Sequence, residues 1–311
     1  MKKIGIIGIG NVGATLAYRL VLQSICQEIV LIDENERRTL SETLDLTDAQ
    51  VPLSKKTKIF TQDYEQLVDA DLLIISLGKI EVLLEKNVDR TSELRQTHKM
   101  IEKIAPKIKH SGFRGIILVI TNPNDVITTY LQKLLDYPTE KIFGSGCVID
   151  SNRLKNIIAE DLGVQSREVS ALMLGEHGES QFPAWSQILL KGRKISELYP
   201  EKLTDYETAT KARGWRILTG KHYTSYGIAT TASYLIEVLN STKEVIVPVS
   251  NYDKKMECYY SYPCRLSRNG VGERVKLQLT SKENKRLSQS ISVIQKGGFM
   301  IERWNSKGEN N

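Results

Sequence analysis

The chain has 311 residues, 41 % of them apolar, with 43 Lys or Arg against 37 Asp or Glu for a formal net charge of +6. This length and composition exclude an intrinsically disordered chain and a small stapled scaffold, and they fit two domains or one large α/β unit. The basic excess is mild and forms no dense Lys/Arg block, which argues against nucleic acid, and no apolar run approaches the roughly 18 residues that a membrane helix needs.

The first predicted strand is Ile4-Gly5-Ile6-Ile7. With Lys2 and Lys3 it superficially imitates a secretory leader, but Gly8, Gly10, Asn11 and Gly13 break the apolar run. These residues form Gly8-Ile9-Gly10-Asn11-Val12-Gly13, a G-x-G-x-x-G turn that leads into a predicted helix with Val12, Leu16 and Leu20 spaced four apart. In such a turn the first glycine permits the bend and the second lets backbone approach a pyrophosphate. The third allows close helix–strand packing, and the helix N-terminus receives the phosphate charge. The second strand, Glu28 to Ile32, leads to Asp33, 20 residues past Gly13, where an acid accepts a ribose 2′-hydroxyl and repels a 2′-phosphate. The pattern predicts NAD rather than NADP, although flavin and methyl-donor enzymes share the turn.

Two more uniformly apolar runs follow, Asp71 to Ser76 and Gly115 to Ile120, as strands buried on both faces of a parallel sheet read. Between them Leu94, Ile101, Ile104 and Ile108 mark one face of a helix from Ser92 to His110. Strands alternating with helices predict right-handed βαβ units in a doubly wound sheet. The glycines of Gly144-Ser145-Gly146 suggest a domain junction. Beyond it, Val169 to Leu174, Ser186 to Leu190, Glu244 to Val249, Cys258 to Tyr262 and Arg274 to Leu279 read as strands. Asp205 to Leu239 reads as mostly helical, a final helix runs from Ser281 to about Gly297, and the polar tail 305–311 is expected to fray.

Cys26, Cys147, Cys258 and Cys264 are scattered with no C-x-x-C pair, which predicts no metal site and no disulfide framework and fits the cytoplasm. Of the four histidines, His177 lies in Leu174-Gly175-Glu176-His177-Gly178-Glu179-Ser180, a glycine-flanked loop directly after a predicted strand. An imidazole there suits reversible proton transfer near neutral pH. In Gly146-Cys147-Val148-Ile149-Asp150-Ser151-Asn152-Arg153-Leu154, Asp150 and Arg153 stand three apart in a first helical turn and head an apolar stripe. Charges in that place are costly unless paired, so they face a site, or else Asp150 is a helix cap and Arg153 its surface partner.

Taken with Thr121-Asn122-Pro123-Asn124-Asp125, Pro183-Ala184-Trp185-Ser186 and Tyr223-Thr224-Ser225-Tyr226-Gly227, these motifs run end to end in an order that resembles the lactate/malate dehydrogenase family, most of all its L-2-hydroxyisocaproate dehydrogenase branch. The resemblance implies an α/β fold: an N-terminal Rossmann doubly wound parallel sheet over 1–144, binding NAD, and a C-terminal α+β catalytic domain over 145–311. It also implies a homo-oligomer, dimer or tetramer, acting on a small 2-oxo or 2-hydroxy acid without nucleic acid or membrane. His177 would be the acid/base, Asp150 would hold its other nitrogen, and Arg153 would grip the substrate carboxylate. Arg90 would polarise the carbonyl from a mobile loop. Asn122 would contact nicotinamide ribose and substrate, Thr224 would line the pocket, and Ile228 would pack on the nicotinamide. Gly8, Gly10, Asn11, Val12, Gly13 and Asp33 complete the cofactor set.

The sequence departs from the family in the loop 79–89, which contains neither Pro nor Gly and which chooses the substrate side chain. Where malate enzymes carry a second Arg, this chain has Glu85 or Leu84, against a dicarboxylate; Val82, Leu83 and Leu84 favour an aliphatic side chain larger than that of pyruvate. Pyruvate as main substrate is the alternative, and a non-catalytic NAD-binding protein is the rival from another class. His222 stands where relatives have Gly, and Ser170 where enzymes activated by fructose bisphosphate have His, so no such activation is expected.

Overall fold

The computed structural model describes residues 1–78 and 90–306. Six strands, β1 (Lys3–Ile7), β2 (Glu28–Ile32), β3 (Lys58–Thr61), β4 (Leu72–Ile75), β5 (Ile116–Val119) and β6 (Ile142–Gly144), lie parallel in the spatial order β6-β5-β4-β1-β2-β3. This is the expected doubly wound sheet, and its side-chain alternation explains the layers. Ile4, Ile6, Ile29, Leu31, Leu72 and Ile74 face one core; Ile7, Val30, Ile32, Leu73 and Ile75 face the other. The helix Asn11–Leu22 packs on the first face through Leu16 and Leu20. On the second face lies the helix Arg90–His110, whose Leu94, Ile101, Ile104 and Ile108 are buried as their spacing predicts.

The second half of the chain does not stand apart from this sheet. Strands Ser250–Asp253 and Cys258–Ser261 extend it antiparallel beyond β6, and the helix Tyr226–Asn240 covers the first face beside Asn11–Leu22. A separate core of Cys147, Leu154, Ile158, Met173 and Ile188 lies behind the helix Val148–Leu162.

Several elements differ from the sequence reading. Arg274 to Leu279 is not a strand: the ladder ends at Arg274, in the strand Gly270–Arg274, while Leu277 and Leu279 pack beside Leu174 and Phe182. Their alternation reflects one buried side, with no partner strand. Val169 to Leu174 divides into two short strands in different sheets, Val169–Ser170 and Met173–Leu174. Ser186 to Leu190 begins as a 3₁₀ turn, because Glu283 takes the Ser186 amide, and only Leu189–Leu190 pairs. The last helix runs on to Ser306, held by Ile301 and by Trp304 against His98, so Asn305 and Ser306 do not belong to a frayed tail. The helix Glu36–Ala49 and the half-exposed edge strand β3 are additions. Among the described residues no helix is long and apolar enough to cross a membrane.

Candidate active site

The glycine turn sits at the carboxyl end of β1. Gly8 has φ of +99°, and its amide donates to the Ile32 carbonyl at 2.8 Å, which ties the turn to β2. A methyl group on Gly13 would lie 1.9 Å from the Gly8 carbonyl oxygen, so helix and strand can meet this closely only through glycine. At Gly10 a methyl group would meet nothing within 4 Å, and Gly10 caps the helix Asn11–Leu22 without any side-chain hydrogen bond. Open space above a bare helix N-terminus suits a pyrophosphate. The Asp33 carboxylate accepts the Ile9 amide at 2.6 Å and the Asn35 amide at 2.9 Å, so the acid expected at the ribose also clamps the turn.

Beyond β6, the helix Val148–Leu162 is capped by Cys147, which places Asp150 in the first turn with its side chain free for other work. Both Asp150 oxygens are bonded: Oδ2 to His177 Nδ1 at 2.6 Å and Oδ1 to Arg153 Nη1 at 2.8 Å. Asp150 is 1 % exposed, whereas His177 and Arg153 each remain 18 % exposed. Burial alone would raise the Asp150 carboxyl, but the charge and hydrogen bonds of His177 and Arg153 outweigh it and hold the carboxyl below its ordinary value. For His177, burial pushes the imidazole down; the adjacent Asp150 carboxylate more than reverses this and sets it above 6.5. With Nδ1–H donated to Asp150, Nε2 is the atom left to exchange a proton. Gly214 lies against the Arg153 guanidinium, where a methyl group would come within 3.1 Å of Nη1.

The loop that carries His177 is held by contacts from far along the chain. Gly175 exchanges two backbone hydrogen bonds with Ser261, of 3.0 and 2.8 Å, in a left-handed conformation with φ of +92°. The Glu176 amide donates to Ser290 Oγ at 2.7 Å, and the His177 amide donates to Asp125 Oδ2 at 2.7 Å. Asp125 is buried at the start of the helix Asn124–Leu135, and its Oδ1 accepts from Ser250 Oγ at 2.5 Å. Beside it, Asn124 Oδ1 accepts the Gly146 amide at 3.0 Å and so fixes the entry to the Asp150 helix. Sequence reasoning missed Asn124, Asp125, Ser250, Ser261 and Ser290. An Asp in the first turn of a helix at a sheet's carboxyl edge was visible as a signal; the serines had none, being ordinary polar residues far away in sequence.

The structure thus brings together His177, Asp150 and Arg153. Asn122 lies exposed at the same carboxyl edge after β5, and Thr224 and Ile228, both half-buried, flank the start of the helix Tyr226–Asn240. The loop 79–89 lies outside the described residues, as does the side chain of Arg90, which begins the helix Arg90–His110. Cys147, Asp150 and His177 also place one donor atom each within 4.8 Å of one another. Burial raises the Cys147 thiol well above its ordinary value and both Asp150 oxygens are already engaged, so the trio offers neither a thiolate nor a free carboxylate oxygen to a metal.

Known proteins resemble the chain over nearly its whole length. Residues 2–144 match the model of the lactate/malate dehydrogenase NAD binding domain, and residues 147–297 that of its alpha/beta C-terminal domain. The chain is 34 % identical over 307 residues to L-lactate dehydrogenase 2 of Listeria monocytogenes serotype 4b, covering 95 % of this chain and 97 % of the relative. It is 32 % identical over 306 residues to L-lactate dehydrogenase 1 of Bifidobacterium longum subsp. longum, covering 94 % and 96 %. Among solved structures, the minor L-lactate dehydrogenase from Enterococcus mundtii superimposes with a TM-score of 0.90 at 28 % identity, covering 96 % of this chain and 98 % of that one.

Proposed function

The chain belongs to the lactate/malate dehydrogenase family and is an NAD-dependent oxidoreductase acting on 2-hydroxy acids; on that premise we propose that it reversibly reduces a monocarboxylic 2-oxo acid to the L-2-hydroxy acid, with pyruvate and lactate as the pair. The observation that carries this reading is the His177–Asp150–Arg153 constellation, in which a single buried carboxylate bonds an imidazole on one side and a guanidinium on the other.

In the direction of reduction, His177 gives its Nε2 proton to the carbonyl oxygen, and Asp150 stabilises the imidazolium before that step and orients the ring throughout. Arg153 presents its remaining N–H donors to the substrate carboxylate, a planar two-pronged contact that Lys does not reproduce. Gly214 leaves the guanidinium room for that contact. Gly8, Gly10, Asn11, Val12 and Gly13 hold the cofactor phosphates, Asp33 the ribose, and Asn122, Thr224 and Ile228 surround the nicotinamide end. NAD supplies the hydride acceptor, and NADH the donor, when bound. Arg90 polarises the carbonyl, a role supported by its place in the sequence alone.

Pyruvate is favoured because the relatives matched over nearly the whole chain are named L-lactate dehydrogenases. A larger aliphatic substrate such as 2-oxoisocaproate is the second reading, favoured by Val82, Leu83 and Leu84 in the sequence. The chain works as a homo-oligomer in the cytoplasm. Leu40 and Leu44, 55 % and 59 % exposed one turn apart on the helix Glu36–Ala49, support the first point, and four free, buried cysteines support the second. Oxidation of NADH with pyruvate, 2-oxoisocaproate, phenylpyruvate and oxaloacetate tests the assignment. Turnover is expected with pyruvate and not with oxaloacetate; a higher kcat/KM for 2-oxoisocaproate selects the second reading, and activity with none overturns both.

A further inference from the structure

We infer that Asp125 is a positioning residue for the acid/base, holding the His177 main chain from behind while Asp150 holds its ring, and that Ser250 holds Asp125 in turn. The inference rests on the reading of His177 as the acid/base. Its support is geometric. Asp125 is 1 % exposed, in the first turn of the helix Asn124–Leu135, and reaches across 52 residues to accept the His177 amide at 2.7 Å. Its other oxygen accepts the Ser250 hydroxyl at 2.5 Å, and Ser250 is fixed by pairing opposite Gly144 at the end of β6. The amide and the ring of one histidine are therefore bonded to two carboxylates from two different helices. Ser261 and Ser290 hold the loop at Gly175 and Glu176, and Asp125 adds the bond at His177 itself, so the imidazole is placed by its own backbone as well as by its ring.

Asp125 is also a buried acid. Burial pushes its carboxyl up to about 7, against the hydrogen bonds from Ser250 and His177. The other titratable groups around it are Glu176 on the same loop, Cys147 at the head of the Asp150 helix and Cys258 on the added strand. When ionised, Asp125 favours the imidazolium form of His177. An amide at this position accepts the His177 N–H through its oxygen and donates to Ser250 through its nitrogen, so Asp125→Asn keeps both bonds and removes only the charge.

The test compares Asp125→Ala, Asp125→Asn and Ser250→Ala with the wild-type holoenzyme. Asp125→Ala is expected to lower kcat by roughly 10- to 100-fold, the scale of a misplaced catalytic group, while the Kd for NADH stays within about twofold. Asp125→Asn should recover most of that kcat, and the alkaline limb of its reduction profile should move to lower pH. Ser250→Ala should fall between them, and it keeps the test decisive should Asp125→Ala fail to fold. NMR titration of the His177 ring, assigned by the resonance missing in His177→Gln, reads the same coupling without turnover: Asp125→Asn should titrate at lower pH than wild type. If no oxo acid is turned over yet the titration shifts, the function assignment fails and the coupling stands. An unshifted His177 titration with unchanged kcat, or a loss of NADH binding in all three variants, overturns the positioning role.

Discussion

The glycine turn at residues 8–13 and the His177 loop at residues 175–180 both end a strand and both rely on a left-handed glycine, yet they are built in opposite ways. In the turn, the decisive contacts come from nearer in sequence: Gly13 packs on Gly8, and the Gly8 amide and Asp33 tie the turn to the end of the next strand. The His177 loop takes its bonds from Asp125, Ser261 and Ser290, which lie on three separate elements. A phosphate needs a backbone shape, which one short turn tied to its neighbouring strands can make. A proton-transferring imidazole needs a direction and a pKa, and these require buried groups from several sides.

The comparison can be broken first at the loop. His177→Ala is expected to reduce turnover by ~10²–10⁴-fold with NADH binding nearly intact, read by steady-state kinetics and a fluorescence titration. Equal losses in both would mean that the two regions are not separable. At the turn, Gly13→Ala drives a methyl group into the Gly8 carbonyl and should cost about 1–3 kcal/mol in urea unfolding along with NADH affinity. Gly10→Ala, which meets no protein atom, should leave stability within about 0.5 kcal/mol and still weaken NADH. A Gly10→Ala variant that binds NADH normally would remove the phosphate from that open space.

The smallest effect sharpens the contrast from outside both regions. His222 caps the helix Leu203–Lys221 with φ of +65°, donating its amide to the Leu218 carbonyl, so the residue that departs from the family's usual glycine occupies a left-handed position. His222→Gly should raise stability by about 0.5–1 kcal/mol in the same unfolding assay. No gain would mean that the imidazole makes a compensating contact.

Much of the fold was legible because the strands of a parallel sheet are apolar on both faces and short, as Glu28 to Ile32 is. The edge strand Lys58–Thr61 was not, since half-exposed residues carry no such signal, and Arg274 to Leu279 misled because alternation reports burial rather than pairing. In the site, Asp150 and Arg153 could be paired from their spacing alone, three residues apart on one helix.

By itself the sequence determined the doubly wound sheet and the glycine turn with its acid, because each follows from local periodicity or from a motif a few residues long, and it singled out His177, Asp150 and Arg153 as candidates for one site. Only the tertiary structure decided that Asp125 and Ser250 stand behind His177, that the helix Tyr226–Asn240 covers the first face of the sheet, and that the Asp150 carboxylate is shared between ring and guanidinium. Burial and charge depend on which distant segments exclude water from the same volume, and no local pattern records that.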